Sequence, residues 1–438
     1  SARAPEENRR SDLSRRNLPL TSLLLLIIYL AFISLGLPDA LLGSAWPVMH
    51  QELGASVSWA GIVSMIISGG TIVSSLASDR LTRKLGAGRV TAFSVLLTAA
   101  ALFGFSVSHS FWMLCLWAIP YGLGAGSVDA ALNNFVALHY PARHMSWLHC
   151  MWGVGASIGP VIMGWAITGG LRWNGGYQSI AGIQMVLTLI LFLSLPLWKK
   201  MPSPFAHTSV QTDPSNPADR QIRMPEDGTS DNVTSEDPGE PVSQEPPTLS
   251  QILRKRGVRE VLVSFFCYCA IETTAGMWAS SYCTLNRGIS AEQAAQWASL
   301  FYIGITAGRF VCGFITMKLS DRNMIRLGQI LAALGLILAM LPLGDHVLLA
   351  ALILIGCGCA PVYPSLIHET PSNFGAALSQ SIIGVQMAFA YIGSCLVPPL
   401  FGLLAQYVDI ALYPFFLAVL LILMIVMTEA LHRKVKRV

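Results

Sequence analysis

Ser78-Asp79-Arg80-Leu81-Thr82-Arg83-Lys84-Leu85-Gly86 returns later in the chain as Ser320-Asp321-Arg322-Asn323-Met324-Ile325-Arg326-Leu327-Gly328. Serine, aspartate, arginine, a later base, leucine and glycine keep the same offsets in both copies. Each copy ends one long apolar stretch and precedes another. A polar loop duplicated between apolar stretches reads as two related halves of one chain, each with this loop after its second apolar segment.

Working outward from the two loops, the apolar stretches have the length of a membrane crossing. The chain of 438 residues is 53% hydrophobic and 12% charged, about half the charge of a soluble domain. Leu20 to Leu35, Trp59 to Ala77 and Leu412 to Met427 carry no formal charge. A hydrocarbon core about 30 Å thick takes roughly 20 residues at 1.5 Å each. Backbone groups find no water there, so such segments must be helices. The expected fold is an all-α membrane protein of twelve transmembrane helices in two six-helix bundles. The spans are expected near 18–51, 57–79, 88–108, 111–139, 145–170 and 177–198, then 257–283, 292–317, 324–343, 347–368, 374–404 and 408–431. Prolines inside them, such as Pro38, Pro120, Pro160 and Pro361, mark expected bends.

The stretch between the halves is rich in Pro, Asp, Glu and Ser and nearly lacks aromatics. It cannot bury enough apolar surface to fold alone. The expected organisation is a tail over 1–17, a first bundle over 18–198, a disordered linker over 199–256, a second bundle over 257–431 and a basic tail over 432–438. Of the 28 Lys and Arg, Arg172 and Arg287 fall in loops on one side and Arg309 within a span; the rest lie on the opposite side. The positive-inside rule places that basic side, with both termini, in the cytoplasm of an inner-membrane protein. No cleavable signal peptide is expected, because the first apolar run is too long and lacks a small-residue cleavage site.

Several function classes drop out. The net charge of +4 follows topology, and no base-stacking pattern accompanies it, so nucleic acid is not an expected partner. The nine cysteines sit in or beside spans and read as small apolar packers. No phosphate loop, zinc spacing or nucleophile motif points to an enzyme, and no cofactor or metal is expected. What remains is a monomer in lipid that handles a small polar solute.

Ionisable groups in hydrocarbon cost at least about 2.5–3.5 kcal/mol each on insertion scales, so the four within spans stand out. Asp39 follows Pro38 in the outer half of span one, where a bend beside a carboxylate suits a cavity wall. Asp129 lies ten residues before His139, about 15 Å from the basic edge, with Asn133 one turn on. Glu272 lies in span seven and Arg309 in span eight. Arg309 needs a carboxylate partner, and Asp129 and Glu272 are the candidates; the pair serves either a cavity or purely the packing of the bundle. Asn133, Asn134, His149, Gln184, Gln380 and Gln386 add hydrogen-bonding groups within spans, and Trp152 and Trp278 add flat apolar faces. Amide and carboxylate groups beside aromatic rings suit a sugar.

The duplicated loop resembles that of the major facilitator superfamily, which reads roughly G-x-x-x-D-R/K-x-G-R-R/K. Asp79, Arg80, Arg83 and Lys84 match it, while Ser75 stands where the family has its leading glycine. The resemblance implies gating roles for Asp79, Arg80, Asp321 and Arg322, with a topology anchor and helix-end capping as the alternative reading of these loop charges. Span one with Asp39 and span four with Asp129-x-x-x-Asn133-Asn134 look like the fucose:proton symporter family, as do Ser146 to Pro160, Cys267 to Tyr282 and Ala360 to Ser365. That resemblance implies symport of a monosaccharide, with Asp39 and Asp129 coupling protons. Solute binding is expected at Asn133, Asn134, His149, Trp152, Glu272, Trp278, Arg309 and Gln386, from their polar or flat side chains within spans, with helix packing the alternative for any one Gln or Trp. Asp129 stands where that family usually has Glu. Related glucose carriers use sodium, so the coupling ion is H+ or Na+. Gly155 to Gly164 also resembles a motif of drug antiporters; an exporter and a lipid flippase are the alternative readings.

Overall fold

The computed structural model describes residues 22–39, 41–56, 59–200 and 247–435. The described chain is helical, without a strand. The first half runs α1 (22–36), α2 (Leu41–Glu52), α3 (Ala60–Leu85), α4 (Ala87–Ser106), α5 (Phe111–His139), α6 (Ala142–Thr168) and α7 (Arg172–Lys199). The short α8 (Leu249–Arg254) precedes the second half: α9 (Val258–Arg287), α10 (Ala291–Ile315), α11 (Asp321–Met340), α12 (Asp345–Cys359), α13 (Val362–His368), α14 (Thr370–Phe374), α15 (Ala376–Tyr407) and α16 (Tyr413–Lys434). Among the described residues, 11 helical stretches are long and apolar enough to cross a membrane. The expected eighth span, α10, is continuous over 25 residues, but its apolar part is confined to Leu300–Ile315. Glu292, Gln293 and Gln296 dilute its first turns.

Prolines divide two spans. Pro38 offers no N–H to the carbonyl of Ser34, one turn back. The chain turns over 37–39 and re-enters helix where Leu41 N–H donates to Pro38 O at 3.1 Å. The freed Ser34 carbonyl accepts from Gln184 Nε2 of α7 at 2.8 Å, so the break leaves that acceptor satisfied. The tenth span breaks similarly at Pro361, between α12 and α13.

Glycines set how closely α1 and α6 approach. A Cβ on Gly36 would lie 2.1 Å from Trp152 O, one on Gly155 2.0 Å from Ile33 O, and one on Gly159 2.0 Å from Leu37 O. Backbones in contact bring Asp39 and Trp152 together. Gly155→Ala is therefore expected to overpack this crossing at a cost of about 1–3 kcal/mol, lowering the Tm of the purified protein and weakening solute binding. A variant melting with the parent would show that the crossing tolerates separation.

The halves meet where α3 packs on α15 and α6 on α10. We call the end carrying the α3–α4 and α10–α11 junctions the basic end. The expected linker, 199–256, lies outside the described residues from 201 to 246. Its last part, expected to lack structure, includes α8, where Thr248 and Gln251 form a reciprocal capping box and Ile252 is buried. The tail expected over 1–17 and residues 436–438 of the basic tail expected over 432–438 lie outside the described residues, whereas 432–434 continue α16.

Candidate functional site

A cavity of about 210 Å³ lies between the halves, lined by Asp39, Asp129, His149 and Trp152 of the first and Glu272, Thr273, Arg309, Tyr363, Tyr391 and Ser394 of the second. Six of the residues expected from sequence thus converge, drawn from α1–α2, α5, α6, α9 and α10. A second cavity of about 230 Å³ adjoins it, lined by Ser64, Ser68, Thr71, Tyr121 and Tyr177, and shares Asp39, Ala125 and Tyr391 with the first.

Each carboxylate has a different set of partners. Asp39, exposed where it borders the two cavities, accepts from Trp152 Nε1 at 2.7 Å and from Tyr121 OH at 3.3 Å. Asp129 is buried and accepts from Asn133 Nδ2 at 2.7 Å and from Tyr391 OH at 3.3 Å. The Tyr391 bond crosses from α15 to α5, joining the halves inside the cavity. Glu272 pairs with Arg309 at 3.4 Å and accepts from Tyr268 OH, one turn earlier on α9. Between the two sequence candidates, Glu272 is the partner of Arg309. Arg309 also donates to Tyr268 OH at 3.3 Å, and its guanidinium lies 5.7 Å from the ring centroid of Trp152, within cation–π range. Its Nε is buried without a hydrogen-bond partner.

The network fixes one tautomer. Asn133 donates its amide N–H to Asp129, so its Oδ1 is the atom that meets His149 Nε2 at 3.0 Å. That oxygen only accepts, so His149 carries its proton on Nε2. The His149 ring packs edge-on against Phe32 and Tyr363.

Other expected binding residues are elsewhere. Asn133 is fully buried behind Asp129 and orients it. Asn134 accepts from Ser379 Oγ at 2.6 Å across the seam. Trp278 donates to Pro398 O and packs on Phe401 within the second half. Gln386 is fully buried and accepts from Thr370. These last three do not line the cavity, because helix phase turns them into the seam or the second bundle. Sequence reasoning missed Tyr121, Tyr268, Tyr363, Tyr391, Thr273 and Ser394. Tyr268 alone had a local signal, its i,i+4 spacing from Glu272.

At the basic end the seam is stitched by hydrogen bonds. Asp79 accepts from Ser381 Oγ at 2.6 Å and from Arg83 Nε at 3.0 Å, while Arg83 also donates to Ala377 O. Gln380 reaches Ser78 and Ala130 O, and Trp147 donates to Phe310 O. Arg80, expected to gate, is instead exposed beside α8; Arg83, on the next turn, is i,i+4 from Asp79 and takes the contact. In the second copy Asp321 bonds His368, and Arg322 and Arg326 both pair with Glu429. Among the described residues no group of three or more His, Cys, Asp or Glu is placed to hold a metal ion.

The comparisons agree with this architecture. The sequence profile described as Major Facilitator Superfamily matches residues 28–398 and 261–437. The chain is 22% identical over 432 residues to bypass of stop codon protein 6 of Saccharomyces cerevisiae, spanning 93% of this chain and 82% of that protein. It is 24% identical over 312 residues to the hexuronate transporter of Bacillus subtilis, spanning 69% of this chain and 66% of that one. Among solved structures, the transporter FucP in its outward conformation superposes with a TM-score of 0.68 at 16% identity, over 92% of this chain and 97% of that one. The E. coli fucose:proton symporter FucP gives 0.68 at 18%, over 94% and 98%. The human organic anion transporter MFSD10 gives 0.64 at 16%, over 95% and 99%. With two helical halves around a polar cavity and a family profile that spans both, the chain belongs to the Major Facilitator Superfamily and is a multi-pass transporter of small-molecule solutes, not an enzyme.

Proposed function

We propose that the chain is a proton-coupled symporter of a monosaccharide or similar small neutral solute, working by alternating access with its basic end in the cytoplasm. One observation carries the reading: Asp39 and Asp129 face a single cavity between the halves and neither has a cationic partner there, whereas Glu272 has Arg309. Carboxylates at that depth need their charge neutralised before the halves close over them. A bound proton does this without a fixed counter-ion.

In this mechanism solute and protons enter from the end opposite the basic one, since the basic end is stitched shut. Asp39, between the two cavities, receives the coupling proton through the hydroxyl-lined one and exchanges it with Asp129 beside the solute, where Tyr391 reports that state to α15. With Asp129 neutral and solute bound the halves rock and expose the solute to the other side; with solute bound and Asp129 ionised, closure buries uncompensated charge and is resisted. Thr273, Ser394, His149 and the Glu272–Arg309 pair supply hydrogen bonds, and Trp152 a ring face. Three carboxylates against one engaged guanidinium favour a neutral solute over an acidic one.

The test is uptake of labelled monosaccharides into proteoliposomes under an imposed pH gradient. Accumulation above the outside concentration, competed by neutral hexoses and not by hexuronates, is expected. Accumulation driven by a sodium gradient alone would replace the proton with sodium. Efflux of hydrophobic cations without any sugar effect would replace symport with antiport.

A further inference from the structure

At the basic end, His368 of α13 lies between the halves. Its Nδ1 is 2.8 Å from Asp321 Oδ2 of α11, and its Nε2 is 3.2 Å from the main-chain carbonyl of Tyr140, which caps α5 in the first half. Both partners only accept hydrogen bonds: one is a carboxylate, the other a carbonyl. A neutral imidazole carries a single N–H and can satisfy one of them, leaving a lone pair facing oxygen at the other. Both bonds form together only when both ring nitrogens carry protons. The same reasoning assigns the opposite state to its neighbour His144, whose Nε2 accepts from Arg143 Nε at 3.2 Å and whose Nδ1 bonds Tyr29 OH at 2.8 Å. With its Nε2 accepting, that ring needs no second proton.

We propose that His368 is a proton-operated latch: as an imidazolium it ties Asp321 of the second half to the Tyr140 carbonyl of the first, and its loss of a proton releases the basic end. The groups facing it are Asp321 from α11, the Tyr140 carbonyl at the end of α5 and the adjacent Glu369, which His432 of α16 holds at 3.2 Å. Burial pushes the Glu369 carboxyl above the usual carboxylate range, and the His432 contact partly offsets this. Arg322 and Arg326, which follow Asp321 on α11, both pair with Glu429 of α16. Asp321 Oδ1 is buried and unpaired, so His368 is its carboxylate's hydrogen-bond donor in this arrangement.

The sign follows from linkage. The closed basic end binds one more proton at His368 than the open end, so acid favours closure and alkali favours opening. A charge-assisted bond of this kind shifts such a two-state ratio by about tenfold. If the chain brings protons in with its solute, as proposed above, acidification on the basic side tightens the latch and slows further entry, a brake set by one of the transported species.

The latch is testable without solute or gradient. Spin labels on Lys84→Cys and Lys318→Cys, exposed at the basic ends of the two halves, are placed in a background with Cys357 and Cys395 replaced by serine. The distance between them is read in nanodiscs across the histidine titration range. The parent should shift toward the longer distance as pH rises, with a ratio change of about tenfold. His368→Gln should be flat with pH and biased open; His368→Arg, a permanent double donor, should be flat and biased closed. Repeating the parent and His368→Gln pair in an Asp129→Asn background, where that cavity acid no longer titrates, should preserve the difference between the two, which separates the latch from proton coupling in the cavity. A parent distribution unmoved by pH, or a His368→Gln response equal to the parent's, overturns the proposal.

Discussion

Asp129→Asn is expected to abolish gradient-driven accumulation while leaving solute exchange intact. In a symporter moving one proton per solute, each unit of pH difference supports a concentration ratio of about tenfold. Without a titrating group at this position that ratio should fall to about one. Folding should survive, because asparagine reproduces the hydrogen bonds. Its Oδ1 replaces the oxygen that accepts from Asn133 Nδ2, now at 2.7 Å. Its amide N–H would donate to Tyr391 OH, which now donates at 3.3 Å and whose oxygen also accepts. Counterflow, in which labelled solute enters against unlabelled solute inside, needs binding and rocking but no net proton movement. Retained counterflow with lost accumulation identifies Asp129 as a coupling site. Accumulation equal to the parent's removes it from that role and undoes the symport reading with it.

How far the sequence leads depends on how local the physics is. Span positions follow from hydropathy because each helix satisfies its own backbone, whatever its neighbours do. The break at Pro38 is local in the same way, but the capture of the freed Ser34 carbonyl by Gln184 joins residues far apart in the chain and has no signature in either segment. The four intramembrane ionisable groups announced themselves by their cost, and Asp39, Asp129, Glu272 and Arg309 do meet at one cavity. Their partners were less legible. Arg83 and Tyr268 lie one helical turn from Asp79 and Glu272 and were within reach of a spacing argument. Tyr391, Ser381 and the His368–Tyr140 contact depend on how two bundles face each other. Trp278 and Gln386 show the converse: residues of suitable chemistry, at suitable depth, rotated away from the cavity by helix phase.

Arg309→Ala is expected to be the most destabilising single change in the cavity. Arg309 is 3% exposed and holds Glu272, Tyr268 and the face of Trp152 together. Removing one member of a buried pair strands the other's charge, at about 3–5 kcal/mol. Trp152 loses its cation while still donating to Asp39, so the disturbance spreads to a proposed coupling acid. The Tm of the purified protein should fall sharply and solute binding should vanish. Stability and function separate in the double variant Arg309→Met with Glu272→Gln. It leaves no unpaired charge, the introduced glutamine amide can still meet Tyr268, and methionine fills the space under Trp152. Most of the lost Tm should return, whereas transport should not, because the cavity has lost its charged hydrogen-bonding pair. A double variant that carries solute like the parent would make the pair a packing device only, and an Arg309→Ala protein as stable as the parent would show that Glu272 finds water or a proton instead of its guanidinium.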